Sequence, residues 1–165
     1  MREAISNTSP LLYLYRIGAM DWLASLFTTV WVPSAVVLEL QEGQRKGYDV
    51  PDPHSYPWIH IVDPTYTPSE WLTLDLGMGE LAALALAIEN PDRVVLLDDA
   101  LARRTAEAAG LSVRGTLGAL LDAKSGSLTE RVAPWLDKLE AAGMWMSPEL
   151  RRRILALAGE DSAPE

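Results

Sequence analysis

The sequence predicts an α/β fold built on a mostly parallel sheet. Three observations point to it. Short apolar runs alternate with helical stretches of 10 to 15 residues, the order that parallel strands joined by right-handed crossovers produce. The run "RVVLL" before Asp98 is apolar without polar alternation, as expected of a strand buried on both faces. Proline-rich segments fall between these elements, so they read as loops within one fold.

The elements follow in order. Ala4 to Ser6 is a short strand. Ser9 to Tyr15 reads as a helix, with Pro10 suited to its first turn. Gly18 breaks it, and "AMDWLASLF" forms a second helical stretch. The β-branched "TTVWV" reads as a strand, and "SAVVLELQEG" as a helix closed by Gly43. "QRKGYDVPDPHSYPW" is loop, "WIHIV" a short strand and "DPTYTPSEW" loop again. "LGMGELAALALAIEN" is the strongest helix, with Leu81, Leu84, Ala85 and Ile88 as its apolar face. After "RVVLL" come helix "DALARRTAEAAG", strand "LSVRG" and helix "TLGALLDAKSG". "TERVAPWLDKLEAAG" and "SPELRRRILALAG" are two amphipathic helices. Residues 1–158 are expected to form one domain and 159–165 a frayed tail.

Bulk properties narrow the function classes. At 165 residues the chain suits one domain with one buried core. With 48% apolar and 22% charged residues it is a globular chain. It has no cysteine, which excludes disulfides, thiolate metal sites and cysteine nucleophiles and fits a cytoplasmic protein. No apolar run approaches the ~20 residues that span a bilayer, and no signal peptide is evident. A formal charge of -9 argues against a broad basic nucleic-acid surface, though not against a basic rim around a site.

Ligand sites in parallel sheets lie beyond the carboxyl ends of the strands. That rule selects Asn7, Asp98, Asp99, Arg114 and Thr116, with Glu39 and Glu80 on neighbouring helices. Singly, each has a plain structural role. Asn7, Thr8 and Ser9 are good helix N-caps, Asp98 or Asp99 could cap the next helix, and Glu80 suits a helix N-terminus. Glu39 sits among apolar residues, where a carboxylate is costly unless paired or metal-bound. Together the acids would repel one another without a cation. Oxygen ligands without His or Cys suit Mg²⁺ or Mn²⁺, which support phosphodiester hydrolysis. His54 and His60, in or beside a proline-rich loop, read as surface or packing residues. The six tryptophans read as core or dimer-interface packing, with base stacking the minor alternative.

"SNTSPLLYL", "VWVPSAVVLEL", "LGMGELAALALA" and "VVLLDDALARRTAEAAGLSVRGTLGALLDAKSGSL", in this order, resemble the PIN domain, in the branch close to VapC-type toxins. The resemblance covers nearly the whole chain. It implies a three-layer α/β/α sandwich and, in many members, a Mg²⁺- or Mn²⁺-dependent endoribonuclease. It carries the metal positions onto Asn7, Glu39, Glu80 and Asp98 or Asp99, without deciding between the last two. Thr116 falls where the family often has a further polar residue near the metals. Family members commonly form homodimers, and the toxins pair with an antitoxin protein. Arg103, Arg104 and Arg114 are candidates to guide RNA phosphates; solvated helix surface is their plain alternative. Asn7 departs from the family, whose first-strand residue is Asp: its carbonyl oxygen can still bind a cation but brings no charge. Two functions therefore stand side by side, a metal-dependent endoribonuclease and a weakened or inactive PIN-like scaffold that binds RNA or protein.

Overall fold

The computed structural model describes residues 2–160. Five strands, β1 (Arg2–Ser6), β2 (Phe27–Val32), β3 (Ile59–Ile61), β4 (Val94–Leu96) and β5 (Val113–Arg114), pair in the order β3-β2-β1-β4-β5. Every pairing is parallel. Eight α-helices cover the sheet: α1 (Thr8–Arg16), α2 (Met20–Leu26), α3 (Ser34–Arg45), α4 (Met78–Glu89), α5 (Ala100–Ala108), α6 (Thr116–Ser125), α7 (Ala133–Ala141) and α8 (Pro148–Leu157).

Successive residues of a strand face opposite sides. In β4 and just beyond it, Val94 and Leu96 enter one apolar layer and Val95 and Leu97 the other. The first layer takes Leu11 and Leu14 from α1, Leu23 from α2, Leu120 from α6, Leu136 from α7 and Ile154 from α8. The second takes Leu84 and Leu86 from α4 and Ala102 and Ala106 from α5. The result is a three-layer α/β/α sandwich, as the resemblance implied. It explains why "RVVLL" lacks alternation: both faces are dry.

Several elements depart from the sequence reading. Helix α3 runs past Gly43 to Arg45, with Lys46 as its C-cap; Gly47 follows with φ +90, where a side chain would be strained. The Tyr48 N–H there donates to the Gly43 carbonyl at 3.0 Å, a Schellman-type closure. In α4 the buried residues include Leu81 and the unbroken run Ala83 to Ala87, whereas Ile88 is exposed. Packed between sheet and neighbouring helices, α4 has more than one apolar face. Helix α7 starts at Ala133, after the expected "TERV".

The chain end is tied down as far as it is described. Glu160 pairs with Lys124 at 2.8 Å and accepts the Val132 and Ala133 N–H groups at 2.7 and 3.1 Å. The rest of the expected tail, 161–165, lies outside the described residues. Among the described residues no helix is long and apolar enough to cross a membrane.

Candidate acidic site

Register sets the site. Ser6 pairs with Leu96, and the Asn7 N–H donates to the Leu96 carbonyl at 3.1 Å. Asn7 thus leaves β1 beside the point where β4 delivers Leu97, Asp98 and Asp99. A cleft of about 870 Å³ opens at this edge, lined by Asn7, Glu39, Glu80, Asp98, Asp99 and Arg103 among others. The four acids and the amide singled out from the sequence therefore meet in one place.

Each carboxylate is oriented by a protein donor. Glu39, on α3, accepts the Thr8 hydroxyl on Oε2 and the Gly79 N–H on Oε1, both at 2.7 Å. Gly79 has to be glycine for this contact, because a Cβ there would fall 2.6 Å from Glu39 Oε1. Glu39 is exposed rather than buried at the helix edge, so the desolvation cost expected of it is largely absent. Glu80 accepts the Gly77 N–H at 3.0 Å, at the start of α4. Asp98 is gripped at both oxygens by Thr116, from the backbone N–H and from the hydroxyl, each at 2.7 Å. Asp99 caps α5, accepting the Ala102 N–H at 2.9 Å. The two aspartates are thus distinct: Asp99 carries the capping role and Asp98 is braced from α6.

Asn7 does not do what its position suggests. It stands at the N-cap of α1 but makes no side-chain cap bond. It is 4% exposed, and its Oδ1 is buried with no hydrogen-bond partner among the described residues. Buried acceptors in folded proteins are nearly always satisfied, so the capping role proposed from sequence fails here.

The acids sense one another. Burial pushes the Glu80 carboxyl above its ordinary value; the Gly77 N–H opposes this, and the charges of Asp99, Glu39 and Asp75 add to the rise. Asp75 was not singled out from the sequence, nor were Thr8 and Gly79 as the groups that hold Glu39. The signal for Thr8 was its adjacency to Asn7; no local pattern marks the other two.

The arginines divide. Arg103 lines the cleft: a Cβ on Gly115 would lie 2.6 Å from Arg103 Nη1 and 3.0 Å from Asp98 Oδ1, so the two side chains share the space over that glycine. Arg104 is exposed on α5, away from the cleft lining. Arg114 is turned elsewhere, paired with Asp122 at 2.6 Å and donating to the Gly118 carbonyl at 3.2 Å. Thr116 is fully buried, with its N–H and hydroxyl both on Asp98. His60 is exposed, and exposed His54 lies 3.1 Å from Asp52; neither lines the acidic cleft.

A divalent cation is tested by donor chemistry and geometry. The donors are all oxygen, and the orphaned Asn7 Oδ1 is an acceptor in want of a partner; both fit a hard cation. Among the described residues no three carboxylates or histidines stand together as a formed cation cage.

The model of a PIN-domain family, DUF3368, matches residues 3–160. No curated protein matches the chain.

Proposed function

The chain belongs to the PIN-domain family, and on that premise we propose that it is a metal-dependent endoribonuclease that hydrolyses RNA phosphodiesters at the acidic cleft. One observation carries this reading: Asn7, Glu39, Glu80, Asp98 and Asp99, from separate elements, line a single cleft at the carboxyl ends of β1 and β4. Mg²⁺ or Mn²⁺ would be held by the Asn7 carbonyl oxygen and these carboxylates. When bound, such an ion supplies positive charge for the phosphodiester oxygens and activates water.

The chain's own groups do the rest. Thr116 holds Asp98, and Thr8 with Gly79 holds Glu39, so both carboxylates are pre-oriented. Pre-orientation matters because misplacement by about 1 Å can cost ~100-fold in rate. Arg103, over the same glycine as Asp98, offers a guanidinium to a phosphate. The toxin branch of the family adds two proposals, a homodimer and an antitoxin protein as partner.

A second reading is favoured by the neutral Asn7, which brings no charge to the site: a weakened scaffold that binds RNA without cutting. A pool of single-stranded RNA incubated with Mn²⁺ or Mg²⁺ separates them. The nuclease reading expects cleavage by wild type, abolished in the Glu39→Gln/Asp98→Asn double variant. Cleavage by Asn7→Asp alone would establish the scaffold reading. Cleavage that survives in the double variant would dissociate the activity from this cleft.

A further inference from the structure

Five of the six tryptophans have packing partners or are buried. Trp22 stacks edge-on against Trp135 with centroids 4.5 Å apart, and Trp58 lies 5.3 Å from Tyr56. Trp31 lies under the Arg93 guanidinium, 3.3 Å from its carbon, and Trp71 is buried. Trp145 is 83% exposed. Leaving an entire indole in water forgoes about 2 kcal/mol or more of burial, so a structural role does not account for it.

Its setting is specific. Trp145 lies on the short link between α7 and α8, flanked by half-buried Met144 and buried Met146. The Met144 N–H is bonded to the Leu139 carbonyl at 3.0 Å, and Ser147 caps α8 through the Leu150 N–H at 3.0 Å. The link is anchored on both sides and presents the indole outward. Trp145 lines the same cleft as the acids, and so do Arg153 of α8 and Arg103 of α5. Neither arginine makes an ion pair among the described residues, in a chain of net charge -9. By contrast their neighbour Arg151 is held by Asp137 and Glu140.

We propose that Trp145 is a stacking platform for one unpaired base of an RNA strand, with Arg153 and Arg103 taking up its phosphates as the strand enters the acidic cleft. The identity of the ligand as RNA rests on the nuclease reading above. An aromatic face stacks on any base that has left a helix, and stacking of this kind is sequence-tolerant. The arginines match the backbone charge between such bases. An apolar peptide would use the indole but gain nothing from guanidinium groups set beside carboxylates. The proposal therefore selects single-stranded over paired RNA. It makes Trp145 a positioning residue for the strand, with no part in the chemistry.

The test uses the full chain and a fluorescently labelled single-stranded RNA 12-mer of mixed sequence, with Ca²⁺ present to screen the acids. Because Trp145 is exposed, Trp145→Ala and Trp145→Phe should fold as wild type, which thermal unfolding checks. Binding by anisotropy should weaken about tenfold in Trp145→Ala and less in Trp145→Phe. RNA should quench wild-type tryptophan emission, and the quench should vanish in Trp145→Phe while binding persists. The same RNA in a duplex should bind more weakly, with no effect of Trp145→Ala. Wild type that ignores the single strand, or Trp145→Ala that binds it as wild type does, overturns the proposal and leaves a protein partner for the indole. Trp145-dependent binding without Mn²⁺-dependent cleavage upholds the platform and removes the nuclease reading. Cleavage unimpaired in Trp145→Ala removes the platform and leaves that reading standing.

Discussion

At the amino-terminal ends of β1 and β4, Arg93 is buried and met on several sides. Glu3 Oε2 lies 2.9 Å from Nη2, Thr29 Oγ1 3.4 Å from Nη1, and the Trp31 ring 3.3 Å from the guanidinium carbon. At the carboxyl ends of the same two strands Asn7 is as deeply buried, and its Oδ1 has no hydrogen-bond partner among the described residues. Around it stand Glu39, Glu80, Asp98 and Asp99, and burial, helped by the charges of Asp99, Glu39 and Asp75, pushes the Glu80 carboxyl above its ordinary value. One end of the sheet spends its polar groups on itself. The other leaves one buried acceptor without a hydrogen-bond partner among the described residues and gathers carboxylates around one cleft, a pattern expected of ligand sites. The two ends of these strands thus differ in whether buried polarity is matched.

If that contrast is right, substitutions at the two ends should act in opposite ways. The largest stability loss is expected at the matched end. Arg93→Ala removes a desolvated cation–π contact and an ion pair and leaves space over Trp31. It should cost about 2 kcal/mol or more in urea unfolding, with no change in any cation response.

Glu160 is a second matched group, and its pH dependence has a definite sign. Burial disfavours its charge, but the Lys124 ammonium and the Val132 and Ala133 N–H groups outweigh this and lower its pKa below the ordinary 4.5. A carboxyl lowered by folding contributes stability above its unfolded value, and that contribution is lost as pH falls through the folded one. Glu160→Gln should therefore be less stable than wild type at pH 7, by roughly 1 kcal/mol. The gap should close below pH 4.5. A gap that stays constant on acidification would show that the contact is not electrostatic.

At the other end function should fall while stability does not. Gly79→Ala places a Cβ 2.6 Å from Glu39 Oε1. The carboxylate sits at the end of a flexible side chain, so it can swing away at little cost, and alanine favours the helix by up to ~1 kcal/mol. Unfolding should be unchanged or slightly harder. RNA cleavage should drop about tenfold, as when an orienting group behind a metal ligand is lost. The effect most informative in sign belongs to Asn7→Leu. A near-isosteric apolar side chain removes an unsatisfied buried acceptor and no cap bond. It should stabilise the protein by about 1 kcal/mol while abolishing activity.

Much of the fold is visible in the sequence because its signals are local. "RVVLL" and "LGMGELAALALA" report buried strand and helix by apolar content alone. Boundaries were less visible: α3 carries two glycines near its end, and the stop lies at Gly47, where the chain adopts positive φ, not at Gly43. In the site, the strand-end rule and the family resemblance together place all five oxygen-bearing residues in one cleft. What they miss is which side chains pair with one another. Arg114 was a candidate for phosphate, but Asp122 takes it from across the β5–α6 turn. Trp145 was grouped with the packing tryptophans because its flanking methionines are apolar; only the tertiary structure shows those methionines turned inward and the indole outward. The Asn7 side chain likewise reads as a cap by type and position, yet it makes no cap bond.

The central claim is that the unmatched end of the sheet is built for a divalent cation. The most direct test is the thermal unfolding of wild type, Asn7→Leu and Asp98→Asn titrated with Mn²⁺, since a ligand that binds only the folded state raises the midpoint as its concentration rises. A midpoint that climbs with Mn²⁺ in wild type, and much less in both variants, is the predicted result. A wild-type midpoint indifferent to Mn²⁺, or one that rises equally in all three proteins, would contradict it.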